Sequence, residues 1–303
     1  MSKLIKQPPF AGIRTFMGMP AVNDFDDYAV PRQIMISGIC ADARTTNRPG
    51  ARLGPAAIRD ASMTLCEIQT DRFIGDLGDF VPTGFSFDEI EGSIAQYAFW
   101  QASLSMPIFL GGDHSITLPI LRSVRKAQDR PVALVMFDAH TDTWTENWGD
   151  KYSHGCWLRR AVKEGLIDPE HSSLIGIRSS MDQETWDYAR RTFNHVYTAA
   201  DVHTTPMAKI IDEVLRPIDD CPAYLTLDID VLDPAFAPGT GCPEVGGLAS
   251  WQIREFLRDH VISEVDWVGM DVVEVSPPYD HAQITALAAA QFVSDFIERL
   301  VND

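Results

Sequence analysis

The sequence predicts an α/β protein in which a parallel sheet is covered by helices on both faces. Two observations carry that prediction. Short, continuous apolar runs alternate with longer stretches of helical period, the pattern of successive βα units. Three of those runs also end in carboxylates and imidazoles, and open parallel sheets place their ligand sites beyond the carboxyl ends of the strands.

The elements follow in order. The first 30 or so residues mix Pro, Gly and Met without a period, and are expected to form an arm over the domain or a neighbouring subunit. Ile34 to Ile39 reads as a strand. Gly54-Pro55 opens a helix, because Pro suits a first helical turn, and Ile58, Ala61 and Leu65 recur at three- and four-residue spacing. Residues 86–103 read as a helix, 107–110 as a strand, 117–128 as a helix and 132–137 as a strand. Further strands are expected near 173–177, 223–228 and 265–272, with helices between them and a last helix from near Ala282. No repeat, low-complexity tract or linker interrupts the pattern, so residues 1–303 are expected to form a single domain.

The composition narrows the function classes. Acidic residues number 43 against 25 basic, a formal net charge of -18. That argues against a nucleic-acid partner, whose affinity comes from neutralising phosphates with Lys and Arg. A negative field attracts cationic substrates, and the alternative reading is solubility alone. Five cysteines, Cys40, Cys66, Cys156, Cys221 and Cys242, form no CxxC pair and are odd in number. A disulfide framework is not expected, and a reducing, cytoplasmic location fits. Met1 to Pro9 lacks the apolar stretch of a signal peptide. No run approaches the roughly 20 apolar residues that span a membrane, so no membrane partner is expected.

The three strand ends are Gly111-Gly112-Asp113-His114-Ser115, Asp138-Ala139-His140-Thr141-Asp142 and Asp228-Ile229-Asp230. In extended chain, side chains repeat every two residues, so Asp138, His140 and Asp142 share a side, and so do Asp228 and Asp230. With His114 they make four carboxylates and two imidazoles. So many acids repel one another unless cations neutralise them. Two divalent ions sharing bridging carboxylates resolve the conflict and give a two-metal site that activates water. The donor set is oxygen-rich, with one His per ion and no Cys. It suits Mn²⁺, and Fe²⁺, Co²⁺, Ni²⁺ or Zn²⁺ can use the same ligands. Taken singly, DxHxD or DxD is as well explained by capping and turn chemistry.

These residues belong to a longer ordered series. Asn47-Arg48-Pro49-Gly50-Ala51-Arg52-Leu53-Gly54-Pro55 precedes them, and Asp228-Ile229-Asp230-Val231-Leu232-Asp233-Pro234, Ala237-Pro238-Gly239-Thr240-Gly241, Gly246-Gly247-Leu248 and Asp271-Val272-Val273-Glu274-Val275-Ser276-Pro277 follow. The series resembles the ureohydrolase (arginase/agmatinase) superfamily from about residue 33 to the C-terminus, and its agmatinase and guanidinobutyrase branch more than arginase proper. The resemblance implies a three-layer α/β/α domain around a mostly parallel eight-stranded sheet. It implies two Mn²⁺ per subunit and hydrolysis of a guanidino group to urea and an amine. By position, one ion is held by His114, Asp138, Asp142 and Asp228, and the other by His140, Asp138, Asp228 and Asp230, with Asp138 and Asp228 bridging. Catalytic roles fall on Asp142, on Glu274, which pairs with the guanidinium, and on His154 of Ser153-His154-Gly155, which shuttles a proton. A homo-trimer or homo-hexamer is also implied.

Read without the resemblance, Glu274 ends an apolar run and can pair with a guanidinium or serve a structural ion pair. His154 can act as acid and base near neutrality or stand by in an exposed loop. Asp113 either orients a metal ligand or accepts from loop amides. The segment from Thr143 to Ser153 is expected to wall the substrate entrance. Trp144, Trp148 and Trp157 offer apolar and cation–π surface, while Glu146 and Asp150 add negative charge. The alternative for these Trp residues is packing at a subunit boundary. A cationic tail suits the wall, so agmatine, giving putrescine and urea, is the expected substrate. A carboxylate tail, as in guanidinobutyrate or guanidinopropionate, needs Lys151, Arg178 or a residue that the sequence does not place. Cys242 stands where Thr is common in the family. Two further readings are a catalytically silent partner subunit and a histone-deacetylase-like hydrolase, and the complete set of six ligand positions for two metals argues against both.

Overall fold

The computed structural model describes residues 11–23, 33–84, 86–218 and 220–302. Of the expected arm, residues 1–10 and 24–30 lie outside the described residues. Eight strands are present among the described residues: β1 Ile34–Ile39, β2 Ile74–Phe80, β3 Met106–Leu110, β4 Ala133–Phe137, β5 Ser173–Ile177, β6 His195–Thr198, β7 Ala223–Asp228 and β8 Trp267–Val273. They form one sheet in the order β2-β1-β3-β8-β7-β4-β5-β6, and every adjacent pair is parallel. The helices are α1 Gly54–Ser62, α2 Phe87–Leu104, α3 Thr117–Gln128, α4 Trp157–Lys163, α5 Gln183–Thr192, α6 Ala199–Thr204, α7 Met207–Leu215, α8 Ser250–Leu257 and α9 Ile284–Val301. None of the described helices is long and apolar enough to cross a membrane.

Two apolar layers flank the sheet, and the strands feed them alternately. Ala133, Val135 and Phe137 of β4 join α1, α7, α8 and α9 in one layer. Leu134 and Met136 join α2, α3 and α4 in the other. This two-residue alternation on strands buried on both faces explains the unbroken apolar runs in the sequence.

Two strands were not expected from their residues. β2 and β6 are the two edges of the sheet. β6 has four half-buried residues, too few to stand out by pattern. β2 carries Asp76 and Asp79 inside Ile-Gly-Asp-Leu-Gly-Asp-Phe. Their charge is answered from α1: Arg59 Nε and Nη2 donate to Asp76 Oδ2 and Oδ1 at 2.8 and 3.0 Å, and Nη1 donates to Asp79. The outer side of β2 is joined by residues 11–23. Val22 donates its amide to the Asp76 carbonyl at 2.9 Å, and the Phe16 amide donates to Asp76 Oδ2 at 2.6 Å. A carboxylate and a guanidinium thus stand where an apolar pattern was sought.

The four middle strands, β3, β8, β7 and β4, stand side by side. Their carboxyl ends carry the chemistry. His114 follows β3, Glu274 follows β8, Asp228 ends β7, and Asp138 follows β4.

Candidate active site

The loop after β3 is shaped by two glycines. Gly111 and Gly112 have φ of +69° and +91°, and a Cβ on Gly111 would lie 2.5 Å from Pro55 Cδ. The Gly111 amide donates to Val272 of β8 at 2.6 Å, and Gly112 accepts from the Glu274 amide at 2.9 Å. This stitching brings His114 beside Glu274, whose Oε1 accepts from the His114 amide at 2.8 Å. Asp113 serves backbone amides: it accepts from Arg44 at 2.9 Å and Ser115 at 3.0 Å. Of the two roles open for it, the loop role is the one its contacts support.

All six expected ligand residues meet. His114 Nδ1 lies 3.1 Å from Asp138 Oδ2, 3.1 Å from Asp142 Oδ2 and 3.2 Å from Asp228 Oδ2. His140 Nδ1 lies 3.1 Å from Asp230 Oδ2 and 3.3 Å from Asp138 Oδ1. Asp138 belongs to both groups. The carboxylates are held by local amides: Asp138 Oδ1 accepts from His140 at 2.7 Å, Asp228 Oδ1 from Asp230 at 2.9 Å, and Asp230 Oδ1 from Ala139 at 3.1 Å. In Asp138 and Asp228 this frees Oδ2 to point at His114.

The donor set fits divalent cations. A ring nitrogen can carry one proton, yet three carboxylate oxygens crowd His114 Nδ1. Both that nitrogen and Asp138 Oδ2 are buried without a hydrogen-bond partner. Buried unpaired polar atoms are costly and point to an absent partner. Burial disfavours charge on His114, but the three carboxylates hold its pKa well above the ordinary value. Burial, Asp230 and Asp138 push Asp228 well above the carboxylate range. A cation among these atoms would relieve both strains. A third group, Asp168, His171 and Cys221, is half-exposed and lies at the opposite, amino ends of the strands, before β5 and β7.

Glu274 and His154 sit beside the cluster and touch each other. His154 Nδ1 lies 2.8 Å from Glu274 Oε1. The Thr46 amide and hydroxyl lie 3.0 and 2.7 Å from His154 Nε2: in the neutral ring the proton sits on Nδ1 against the carboxylate, and in the charged ring Nε2–H donates to the Thr46 hydroxyl. Burial opposes charge on this ring, while Glu274 and Cys242 favour it and raise its pKa well above the ordinary value; the Thr46 amide pulls the other way. Glu274 Oε2 is buried and unpartnered. Glu274 and Asp142 adopt left-handed φ of 62° and 49°, a strained backbone for side chains of this kind and a recurrent mark of functional sites.

A cavity of about 400 Å³ opens over His140, Asp142, His154, Asp228 and Asp230. Trp144, Glu146 and Trp148 line it. Asp150 does not line it: its backbone pairs with Asn147, and its carboxylate accepts from the Tyr152 amide at 2.8 Å. Trp157 is also corrected. It begins α4, is 0% exposed, and packs with its ring tilted 40° at 4.7 Å from His114 while its Nε1–H donates to Asp142 Oδ2 at 2.7 Å. It is a floor beneath the ligands rather than an entrance wall. Arg178 Nη2 donates to the carbonyls of Asp230 and Glu244, each at 2.7 Å, so it pins loops and does not face the cavity. Neither Arg178 nor Lys151 lines the cavity, and no other Lys or Arg does among the described residues. The residue-by-residue reading had no signal for Thr46 or Glu244, which come from distant loops; Glu244 Oε1 lies 3.8 Å from His140 Nε2.

Comparison with known proteins places this geometry. Residues 32–298 match the model of the arginase family. The chain belongs to the arginase family. It is therefore an enzyme of the ureohydrolase kind, a hydrolase of linear amidines. It is 39% identical over 304 residues to a guanidinopropionase from Pseudomonas aeruginosa, spanning 96% of this chain and 92% of that relative. It is 39% identical over 298 residues to an agmatinase from Chromobacterium violaceum, spanning 95% and 88%. The solved structure of proclavaminate amidino hydrolase from Streptomyces clavuligerus superposes with a TM-score of 0.88 at 33% identity, covering 97% of this chain and 99% of that one.

Proposed function

We propose that this family member hydrolyses agmatine to putrescine and urea, with two Mn²⁺ in each subunit. The observation that carries the substrate assignment is the cavity wall. Asp142, Glu146, Asp228 and Asp230 line it, and no described Lys or Arg does. Asp142, Asp228 and Asp230 are taken by the ions in this reading, so Glu146 is the lining carboxylate left to meet a distal ammonium.

In this reading His114, Asp138, Asp142 and Asp228 hold one ion, and His140, Asp138, Asp228 and Asp230 hold the other. Bound there, the ions supply an acidified water as nucleophile. The chain's own groups do the rest. Glu274 Oε2 accepts from the guanidinium, which aims its carbon at the cluster. His154 holds a proton on Nδ1 for the departing amine. Glu146 meets the distal ammonium, and Trp144 and Trp148 face the chain between. The oxygen-rich donor set favours Mn²⁺, and Fe²⁺, Co²⁺, Ni²⁺ or Zn²⁺ suit the same ligands. A cytoplasmic homo-trimer or homo-hexamer completes the reading; Phe236, Trp251 and Leu287 expose apolar surface for association.

A second reading, guanidinopropionate, is favoured by the Pseudomonas relative. Against it stands the absence of a cation to meet the carboxylate among the described lining residues. A substrate panel separates the two. Mn-loaded protein is expected to release urea from agmatine with the highest kcat/KM. Preference for guanidinopropionate or guanidinobutyrate overturns the assignment.

A further inference from the structure

We infer that Thr226 and Asp271 fix the proton on His114 and thereby aim its lone pair at the metal cluster. The inference rests on the metal reading above and concerns groups to which that reading gives no role. Thr226 lies on β7 and Asp271 on its neighbour β8, paired directly across the two strands. His114 Nε2 lies 2.8 Å from Thr226 Oγ1. Thr226 Oγ1 in turn lies 2.5 Å from Asp271 Oδ1. Asp271 Oδ2 takes two more hydroxyls, Thr117 at 2.9 Å and Tyr224 at 3.0 Å. Thr226 and Asp271 are both fully buried.

The direction of this chain follows from donor counting. Burial pushes the Asp271 carboxyl up, while the three hydroxyls that point at it favour its ionised form; ionised, it only accepts, and a hydroxyl has one hydrogen. Asp271 therefore takes the Thr226 hydrogen. Thr226 Oγ1 is left with lone pairs alone toward His114, so Nε2 must carry the imidazole proton. Nδ1, the nitrogen facing Asp138, Asp142 and Asp228, is then the unprotonated one. A donor nitrogen there would oppose a cation, and an acceptor nitrogen binds it. Thr226 and Asp271 are positioning residues: they touch neither substrate nor ion.

The test is metal affinity rather than turnover. Thr226→Val keeps the shape and removes the acceptor. Partners of metal-bound histidines carry roughly 10- to 100-fold in affinity. Equilibrium dialysis against buffered Mn²⁺, with metal counted by mass spectrometry, should show one of the two ions weakened by that factor in Thr226→Val and the other unchanged. Thr226→Ser keeps the hydroxyl and should stay within about threefold of wild type. Thr117→Val removes a different hydroxyl from the same carboxylate and should also stay within about threefold. Should Thr226→Val fail to fold, Thr226→Ala is read by the same criterion. Wild-type affinity for both ions in the folded variant overturns the inference, as does an equal loss in Thr117→Val, which would trace the effect to packing. A wild-type protein that takes up no Mn²⁺ overturns the metal reading itself and is distinguishable from either.

Discussion

Glu274→Gln is the most informative single perturbation of the proposed chemistry. The side chain is buried, Oε1 is occupied by the His114 amide and by His154 at 2.8 Å each, and Oε2 has no partner. Gln preserves volume and can still accept from the His114 amide through its oxygen. It cannot offer a second acceptor to a guanidinium, and its NH₂ would face guanidinium donors instead. Losing one hydrogen bond to a charged group costs about 1.5–3 kcal/mol, which at about 1.36 kcal/mol per tenfold is a fall of roughly 13- to 160-fold in kcat/KM. Urea release measured against agmatine concentration reads the effect. Metal content and melting temperature should match wild type, since Glu274 is not a proposed ligand. A kcat/KM within threefold of wild type, with metal content intact, would refute the pairing of Glu274 with the guanidinium.

Other expectations follow from the same geometry. Trp148 is 86% exposed and stands at φ 51° beside Gly149 at φ 85°, in a tight turn closed by Asn147 and Asp150. Facing the substrate's chain beside its ammonium, Trp148 contributes apolar and cation–π contact, so Trp148→Ala should raise KM for agmatine by about 2- to 30-fold and Trp148→Phe should restore most of it; an unchanged KM in the Ala variant removes Trp148 from recognition. His154 has a raised pKa, so it keeps its proton to higher pH than an ordinary His. The alkaline fall of kcat/KM, which reports the free enzyme, should therefore lie above the usual histidine range of about 6.5 and vanish in His154→Asn. The same fall in that variant would assign it to another group. Arg59→Ala breaks a buried pair with Asp76 and should cost about 3–5 kcal/mol in denaturant unfolding. A loss under about 1 kcal/mol would mean water or Asp79 rearranges to compensate.

The site was more legible in the sequence than the edges of the fold. Its residues sit at the ends of strands buried on both faces, where an apolar run stops abruptly at a charge. That contrast survives in one dimension. β2 has no such contrast, because its aspartates belong inside the strand and only Arg59, on another element, explains them. β6 is too short for a period to register. Within the loop after Asp142, alternation could not separate Trp148, at the tip of a turn, from Trp157, which opens α4 and turns inward. Asp150 was misplaced for the same reason, since the turn through Trp148 and Gly149 reverses the chain and sends its carboxylate to the Tyr152 amide. Glu274 and His154 could each be named, but their mutual contact depends on the loops after β4 and β8 meeting, which no local pattern encodes.

The central claim is that the Asp138–Asp228 cluster holds two ions on which guanidino hydrolysis depends. Its most direct test is a Mn²⁺ titration of metal-free protein, with bound metal and urea release from agmatine measured on the same samples, for wild type and Asp228→Ala. Activity should appear as occupancy reaches two ions per chain, and Asp228→Ala should lose metal and most turnover together. Full turnover in metal-free protein, or near-normal metal content and turnover in Asp228→Ala, would contradict it.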